Sequence, residues 1–406
     1  MSACLICSAS IDAFLSFGRM PIANAFLTAQ QFQDEYFFDL EVAYCERCCM
    51  MQLAQLVDRK RLFHDNYPFV SSSSAFMAIH FKQFADWVRH TYLHDADPFI
   101  VEIGSNDGIM LRHFARAGVR HLGIEPSANV AQMARERGVR TVCRFFDEQV
   151  ADAVLAEHGP VDAFLGANVI CHIPSIHSVF AGVKKLLKPR GIFAFEDPYV
   201  GDIVEKTAYD QIYDEHALYL SSASVGLLAS THGLDLIDVL PQNVHGGSMR
   251  YVLSHSGAYA QADAVRILQK REIEIGLAKP ETYRRLRRNI ERSRDQLQTL
   301  LVGLKEQGRR VVGYAATSKS TTVANYCGLT AGLVEFISDT TPMKQGKYSP
   351  GVHIPVKSPS EFSAKYPDYA LLFGWNHADE ILAKEQAFLA RGGKWIVYVP
   401  TVRVLG

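Results

Sequence analysis

The sequence lacks long apolar runs and a charge of one sign. No apolar segment among the 406 residues reaches the roughly 18 residues that a membrane-spanning helix needs. The first ten residues, MSACLICSAS, lack the basic and apolar regions of a secretory signal. The formal net charge is −1, which gives no electrostatic reason to expect nucleic acid or an acidic membrane as partner. We therefore expect a cytoplasmic protein that binds neither.

Cysteine is too scarce for a disulfide scaffold, with eight residues in the whole chain. A hydrophobic content of 48% and a charged content of 21% are ordinary for a folded protein. The length is enough for two or three domains of about 100–200 residues each. No feature of the sequence indicates an obligate protein partner, so we expect a monomer or a weak dimer.

The spacing of the first cysteines predicts a metal site. The stretch CLIC places Cys4 and Cys7 as a C-x2-C pair, and YCERCC places Cys45 and Cys48 as a second pair, with Cys49 as an alternative ligand. Four thiolates close a tetrahedral structural zinc site and leave no open position for catalysis. The 37 residues between the pairs exceed the usual zinc-ribbon gap. Unrelated buried cysteines and, less favoured, a redox pair are the alternatives.

Residues 98–118, PFIVEIGSNDGIMLRHFARAG, predict the strand, turn and helix of a nucleotide-binding fold. The apolar run Phe99–Ile103 is typical of a buried parallel strand. Gly104 and Gly108 allow the backbone to approach a ligand closely at the start of the helix. The next strand ends at Glu125, an offset at which a carboxylate can bind a ribose diol. An NAD-binding Rossmann domain is the alternative, but G-x-G-x-x-G is absent.

Alternating strands and helices continue to the end of the chain. The stretches 139–149, 161–174 and 186–199 predict the third, fourth and fifth strands of the central domain. Residues 261–308 have helical spacing, and Pro280 predicts the start of a long helix. Residues 309–326 read as strand, turn and helix again. A second α/β domain therefore follows the first.

Several stretches together resemble one protein family. The pattern E-x-G-x-x-x-G resembles motif I of class I S-adenosylmethionine (SAM) methyltransferases. That motif combines with the cysteine pairs and with the stretches FVSSSSAFM, GIEPSANVA, CHIP, FEDPYVGDIVEKTAYDQIYDEH, VHGGSMRYV, GYAATSKSTT and LLFGWNHADEI. The chain is similar, nearly end to end, to the zinc-containing nucleotide-sugar C-methyltransferases of deoxysugar biosynthesis. The combination is specific, although each stretch alone is weak.

The resemblance implies an α/β fold with three domains. These are a small zinc-binding domain (1–80), a class I SAM methyltransferase Rossmann-like core (81–257) and a C-terminal Rossmann-like α/β domain that completes the sugar-nucleotide site (258–406). The implied cofactors are SAM and a structural Zn²⁺. The implied substrate is a nucleotide-linked 4-keto-6-deoxy sugar, with TDP as the expected nucleotide, methylated at C3 through an enolate. The likeness is greatest to the branch that methylates a TDP-linked 3-amino-4-keto deoxysugar towards tetronitrose.

The resemblance also implies site residues. The expected cofactor-binding residues are Gly104, Asn106, Asp107, Gly108, Glu125, Phe146 and Asn168. The expected substrate-binding residues are Tyr67, His172, His245, Lys319, Asp339, Lys344 and Asn376. The last four lie in the C-terminal domain, where we expect them to hold the nucleotide diphosphate. A purely structural domain, whose Ser/Thr-rich turn caps a helix, is the alternative reading.

The expected catalytic residues lie in DQIYDEH, residues 210–216. We expect His216 to be the general base, since histidine has the unperturbed pKa closest to working pH. Glu215 either orients His216 or contacts the sugar, and Tyr213 shares a face with His216 if the stretch is helical. Without the resemblance, the same residues would read as an exposed acidic turn. The alternative functions are an O- or N-methyltransferase and, more remotely, a zinc- and SAM-binding protein without turnover.

Overall fold

The N-terminal unit is an antiparallel sheet built around the cysteine pairs. The computed structural model describes residues 2–63, 67 and 70–406, without the side chains of residues 73 and 75. The elements of this unit are β1 (Ser2–Ala3), β2 (Ser10–Ile11), β3 (Ala13–Pro21), β4 (Phe37–Cys45), β5 (Met50–Leu53) and α1 (Arg59–Leu62). β1 pairs with β2, and β4 lies between β3 and β5.

The long gap between the cysteine pairs is an ordered excursion. Cys4 and Cys7 lie in the tight turn between β1 and β2, where the Cys4 amide donates to the Ala9 carbonyl at 2.8 Å. β4 ends at Cys45, and Cys48 lies in the turn before β5. β3, a 3₁₀ helix over Ala29–Asp34, and β4 fill the interval. The antiparallel course of β3 and β4 returns the chain to its starting end, so the two turns meet.

The central unit is a doubly wound sheet with one antiparallel edge. Its elements are α2 (Ala75–Tyr92), β6 (Phe99–Ile103), α3 (Leu111–Arg116), β7 (Arg120–Ile124), α4 (Ala128–Glu136), β8 (Thr141–Val142), α5 (Glu148–His158), β9 (Val161–Ala167), α6 (Ile176–Leu186), β10 (Leu187–Pro198), α7 (Val200–Lys206), β11 (Leu218–Tyr219), α8 (Ser222–Thr231), β12 (Leu234–Gln242) and β13 (Ser248–His255). The sheet order is β12-β13-β10-β9-β6-β7-β8, and β13 runs antiparallel to both neighbours. The carboxyl ends of the parallel strands form the ligand edge.

The C-terminal unit has a second, mostly parallel sheet. Its elements are α9 (Asp263–Ile275), α10 (Pro280–Glu306), β14 (Val311–Tyr314), α11 (Ser318–Tyr326), β15 (Ile337–Ser338), β16 (Val356–Lys357), α12 (Pro359–Ala364), β17 (Tyr369–Leu372), α13 (Ala378–Lys384), α14 (Gln386–Ala390), β18 (Lys394–Val397) and β19 (Arg403–Leu405). The sheet order is β16-β15-β14-β17-β18-β19, with only β19 antiparallel. Pro280 opens α10 as its first residue, as the sequence predicts.

The stretch that contains the predicted catalytic residues is not an α-helix. A 3₁₀ helix covers Tyr209–Gln211, and a turn without helical repeat follows. β11 then pairs with β5 and so extends the sheet of the N-terminal unit. The predicted domain limit after residue 80 falls inside α2, so the limits 1–80, 81–257 and 258–406 remain predictions. In the described part of the chain, no helix has the length and apolarity to cross a membrane.

Candidate active site

The four predicted zinc ligands converge. Cys4 Sγ lies 3.7 Å from Cys48 Sγ, and Cys7 Sγ lies 3.6 Å from Cys45 Sγ. All four sulfur atoms lie within 4.8 Å of one another. Tetrahedral zinc with Zn–S bonds of about 2.3 Å needs sulfur atoms roughly 3.8 Å apart, so the residues fit the ion. Cys49 Sγ instead faces the Glu46 carbonyl at 3.6 Å, which leaves Cys48 as the fourth ligand.

A deep cleft opens at the carboxyl ends of β6, β7 and β9. It encloses about 990 Å³ of empty space when the solvent at its open mouth is counted. Eight of the predicted site residues line it, among them Tyr67, Gly104, Asn106, Glu125, Phe146 and Asn168. His172 and His245 line it as well. Five predicted cofactor-binding residues and three predicted substrate-binding residues, Tyr67, His172 and His245, therefore share one cavity.

Gly104 is required by the backbone of the first turn. Its φ is +61°, and a Cβ at this position would come within 2.5 Å of the Val169 side chain. Asn106 also has a positive φ, +48°, and its Oδ1 accepts a hydrogen bond from the Ser71 amide at 3.0 Å. The loop over residues 70–74 is thereby tied to the glycine-rich turn, where it borders the cleft.

Two predicted cofactor residues do not line the cleft. The Asp107 carboxylate is fully buried, where it pairs with Arg137 and accepts a hydrogen bond from the Ser72 hydroxyl. Gly108 has a φ of +77° and packs against Val139, where a Cβ would approach within 2.8 Å. These contacts show that both residues shape the turn, and their role in cofactor binding stays a prediction. The glycine pattern fixed the position of the turn, but it could not indicate which way Asp107 points.

Glu125 is the acidic group of the cleft. It is 5% exposed, and its two carboxylate oxygens accept the amides of Asn106 at 2.9 Å and Ser127 at 2.8 Å. Burial raises its pKa, while these hydrogen bonds act in the opposite direction. A carboxylate held in this way keeps lone pairs for a ribose diol.

Replacing Glu125 with glutamine is expected to weaken SAM binding by roughly 10- to 100-fold, because a hydrogen bond to a buried charge contributes about 1.5–3 kcal/mol. Calorimetric titration with SAM measures this directly, and thermal unfolding shows whether the turn survives. The matched control is Glu136→Gln on the exposed end of α4. An unchanged SAM affinity in the Glu125 variant would show that this carboxylate stabilises the loop and does not bind the cofactor.

Two of the predicted catalytic residues, Tyr213 and His216, form a hydrogen-bonded pair next to His172. Tyr213 Oη and His216 Nε2 are 2.8 Å apart, and His216 Nδ1 lies 2.8 Å from the Gln211 carbonyl oxygen. A carbonyl only accepts, so Nδ1 carries the proton and Nε2 accepts from the tyrosine hydroxyl. Burial, with a contribution from His172, lowers the pKa of His216 well below its ordinary value. The imidazole is therefore neutral, with its basic nitrogen directed at Tyr213.

Glu215 does not face His216. Its oxygens accept from Asn24 Nδ2 at 2.7 Å and from the Tyr67 hydroxyl at 3.2 Å. Burial raises its pKa, and the Asn24 hydrogen bond opposes that change. Of the two predicted roles, orienting His216 is therefore excluded. Asn24 lies 191 residues away in sequence, so no local pattern could have indicated this contact.

His172 lines the cofactor cleft and also contacts the Tyr213–His216 pair. Its ring stacks on Phe63 and on His216, with centroids 5.6 and 5.2 Å apart. Burial lowers its pKa to about 3, and its Nε2 has no hydrogen-bond partner among the described residues. Cys171, His172 and His216 are close enough to suggest a metal site, but both His216 nitrogens are already hydrogen-bonded.

Asp197 is a residue that the sequence analysis did not assign. It lies at the end of β10, and its oxygens accept the Val169 and Cys171 amides, each at 3.0 Å. These bonds hold the loop that carries His172. Burial raises its pKa to about 7. The sequence feature that could have identified Asp197 is its position at the end of a parallel strand, where ligands bind in open α/β sheets.

The predicted residues of the C-terminal unit gather at one edge of its sheet. Lys319 Nζ donates to the His245 carbonyl at 2.7 Å and lies 3.4 Å from Asn376 Oδ1. Lys344 Nζ donates to the Ala316 carbonyl, and the Asp339 carboxylate accepts the Ala316 amide, each at 2.7 Å. None of these four side chains lines the described cavities.

Hydroxyl groups of α11 are also used internally. Thr317 caps the helix by accepting the Ser320 amide at 3.2 Å. Thr321 and Thr322 donate to the carbonyls of Ala23 and Ile212, each at 2.8 Å. The Ser/Thr-rich turn therefore caps a helix, and that helix joins the other two units. Helix capping was the alternative expected for this turn if the C-terminal domain were purely structural. The hydroxyls of Thr321 and Thr322 already donate to carbonyls, so these contacts do not favour a phosphate site there.

Comparison with known proteins decides the family. Three sequence models match, described as "Putative zinc binding domain" (residues 4–63), "Methyltransferase domain" (77–239) and "C-methyltransferase C-terminal domain" (243–400). The chain is 36% identical over 394 residues to C-methyltransferase NovU of Streptomyces niveus, which covers 96% of this chain and 93% of that protein. The chain belongs to the C-methyltransferase family.

Solved structures similar to this C-methyltransferase include two methyltransferases. Magnesium protoporphyrin IX methyltransferase ChlM of Synechocystis PCC 6803, solved with bound S-adenosylhomocysteine, is 12% identical with a TM-score of 0.35, covering 44% of this chain and 83% of that one. CcbJ of Streptomyces caelestis is 15% identical with a TM-score of 0.33, covering 45% and 90%.

The family and the sheet confirm the predicted fold class and activity class. This C-methyltransferase is a SAM-dependent enzyme with a class I core, and its cofactors are SAM and zinc. The O- and N-methyltransferase alternatives and the non-catalytic alternative are set aside by the family.

Proposed function

We propose that this C-methyltransferase methylates C3 of a nucleotide-linked 4-keto-6-deoxy sugar, for which TDP is the expected nucleotide. The observation that supports this is the neutral Tyr213–His216 pair beside the cofactor cleft. Methyl transfer to carbon requires a carbanion equivalent, and a ketone at C4 acidifies the neighbouring C3 proton. A C-methyltransferase needs a base for that proton, and this buried pair supplies one.

The proton moves through Tyr213. As Tyr213 Oη takes the proton from C3, its own proton passes to His216 Nε2, and the electron pair of the broken C–H bond forms the enolate. Burial raises the pKa of Tyr213 well above its usual value, so a lasting tyrosinate is disfavoured. The hydrogen-bonded relay avoids that charge. SAM, when bound, supplies the methyl group that the C3 carbon takes.

His172 is suited to stabilise the enolate oxygen. Its low pKa keeps it neutral, so it donates a hydrogen bond without being acidic enough to be deprotonated by the base. Tyr67, which also lines the cleft, is oriented by Glu215 and offers a second polar group to the sugar. Zinc closes the N-terminal fold, which carries Asn24, and takes no part in the chemistry.

Product analysis tests the proposal. The purified enzyme, SAM and a panel of 4-keto-6-deoxy nucleotide sugars are expected to give one product heavier by one methylene, with NMR placing the methyl on C3. In D₂O without SAM, the same sugar is expected to exchange its C3 hydrogen, since only carbon methylation needs that proton removed. A methyl group on another carbon would show that the proton is removed from a position other than C3. If none of the keto sugars gives a product, this acceptor class is rejected.

A further inference from the structure

The loop between β12 and β13 carries a backbone carbonyl that two other parts of the chain share. His245 lies in this loop with a φ of +54°, a conformation that few residues other than glycine adopt. His245 lines the cofactor cleft, and its carbonyl accepts hydrogen bonds from Lys319 Nζ at 2.7 Å and from Gln211 Nε2. One main-chain oxygen therefore connects the C-terminal unit to residues 209–219, which we call the catalytic segment.

Gln211 links this carbonyl to the His216 ring. Its side-chain amide donates to the His245 carbonyl, and its own main-chain carbonyl accepts from His216 Nδ1 at 2.8 Å. The other ring nitrogen of His216 accepts from the Tyr213 hydroxyl, also at 2.8 Å. The position of Gln211 therefore sets the orientation of the His216 ring, and Lys319 holds the same oxygen that Gln211 holds.

Lys319 keeps a charge in a place that disfavours one. It is 8% exposed and lies in the first turn of α11, where the helix dipole opposes a cation. Burial lowers its pKa to about 8, and the Asp210 carboxylate acts in the opposite direction, so the ammonium group is mostly protonated at neutral pH. Asp210 is in turn held by the Trp375 indole at 2.7 Å. The pKa values of His245 and His377 are lowered by burial and then by Lys319.

The charge of Lys319 also acts on His216. Burial is the main cause that lowers the pKa of His216, and the neighbouring His172, His245 and Lys319 act in the same direction. The titratable groups around His216 are Cys171, His172, Tyr213, Tyr219, His245 and Lys319. Burial keeps the cysteine, the tyrosines and the two histidines neutral. Within this group, Lys319 is thus the residue that carries a charge at neutral pH.

We propose that Lys319 is a positioning residue for His216, which it holds across the boundary of the C-terminal unit through the His245 carbonyl and Gln211. This rests on the proposed function, because it assigns to the C-terminal unit the support of the base that carbon methylation needs. The phosphate contact that the sequence analysis expects of Lys319 makes a different prediction. Loss of a phosphate contact would raise KM for the nucleotide sugar and leave kcat unchanged.

The first test compares Lys319→Met with a matched control, Lys206→Met. Lys206 Nζ donates at 2.8 Å to the carbonyl of Gly246, the next residue of the same loop, and that carbonyl accepts nothing from the described part of the catalytic segment. Lys319→Met is expected to lower kcat and C3 deuterium exchange roughly 10- to 100-fold, because a slightly misplaced catalytic group costs a factor of this order. KM for the nucleotide sugar and the affinity for SAM are expected to remain unchanged. Lys206→Met should retain normal kcat.

Gln211→Met tests the path between the two residues. It removes the side-chain donor to the His245 carbonyl and keeps the main-chain carbonyl that accepts from His216. The variant with both Lys319 and Gln211 replaced is expected to be little slower than the slower single variant, since both side chains act through one oxygen. Additive losses of kcat would show that Lys319 acts by another route and would overturn the proposal.

Nitrogen NMR of the full-length enzyme gives a result that does not depend on turnover. The His216 ring signals are identified by their absence from the spectrum of His216→Asn. In Lys319→Met the pKa of His216 is expected to rise, since removing a nearby positive charge favours the imidazolium form. In Lys206→Met it is expected to stay as in the wild type.

The outcomes distinguish the positioning role from the reaction. A raised KM with normal kcat in Lys319→Met would overturn the positioning role and leave the proposed function intact. A raised pKa of His216 in Lys319→Met, with no turnover of any keto sugar by the wild type, would support the role and reject the acceptor class. An unchanged pKa of His216, or equal losses of kcat in both lysine variants, would overturn the role. If Lys319→Met does not fold, Gln211→Met alone decides, because normal kcat in that variant would exclude the path.

Discussion

Replacing His216 with asparagine is expected to lower kcat by roughly 10²- to 10⁴-fold, because a positioned acid–base group usually contributes a factor of this size. The affinity for SAM is expected to remain unchanged. His216 touches the Gln211 carbonyl and Tyr213, and it does not line the cofactor cleft. Its removal therefore affects proton transfer rather than cofactor binding. Single-turnover methyl transfer and calorimetry with SAM measure the two quantities separately.

Tyr213→Phe is expected to have an effect of similar size, because the relay needs both groups. The double variant, with both Tyr213 and His216 replaced, is then expected to be no slower than the slower single variant. When two groups act as a unit, removing the second causes little further loss of kcat. Loss of C3 deuterium exchange should accompany all three. Independent, additive losses would show that the two residues perform different steps.

The control is His255→Asn, because His255 Nε2 also lies within hydrogen-bonding distance of a backbone carbonyl, that of Leu187, at 3.2 Å. It should retain normal kcat. The acid limb of the wild-type kcat profile is expected below the ordinary histidine pKa, since burial lowers the pKa of His216 and its neutral form persists as pH falls. A His216→Asn enzyme with near-normal kcat would place the base elsewhere.

Replacing Cys48 with alanine is expected to abolish zinc binding and unfold the N-terminal unit. Structural zinc sites in small folds contribute about 10–16 kcal/mol of apparent binding energy, more than a small domain's whole stability. The two turns held by the ion connect β1–β2 to β4–β5. Metal analysis and thermal unfolding of the purified protein measure the loss.

The adjacent Cys49 supplies the matched control. It has the same chemistry, one position further along, but its sulfur faces the Glu46 carbonyl. Cys49→Ala should therefore keep its zinc and its melting temperature within a few degrees. Full zinc content in Cys48→Ala, or loss of zinc in Cys49→Ala, would contradict the ligand set.

Features that depend on short-range geometry could be predicted from the sequence. The cysteine spacing, the turn at Gly104, the carboxylate at the end of β7 and the proline that opens α10 all depend on local geometry. Each of these features is confirmed in position by the structure. Tyr213 and His216 were expected to share a face only if the stretch were helical, and it is a turn that brings the two together.

Side-chain direction and long-range contacts could not be predicted. Asp107 belongs to the motif, yet its carboxylate turns towards Arg137, because a fixed spacing does not determine the rotamer. The partner of Glu215 is Asn24, on another unit, and no periodicity connects them.

The segment 209–219 has an implication for synthesis on the ribosome. Its earlier partners, Ala23 and β5, emerge before it. Its later partners follow by more than a hundred residues: Thr322 donates to the Ile212 carbonyl, and Asp210 accepts from Trp375 and Tyr398. A nascent chain can therefore complete its cofactor cleft while its catalytic segment still lacks support. The hydrogen bonds that hold the catalytic segment are therefore completed only after residue 398 has been synthesised.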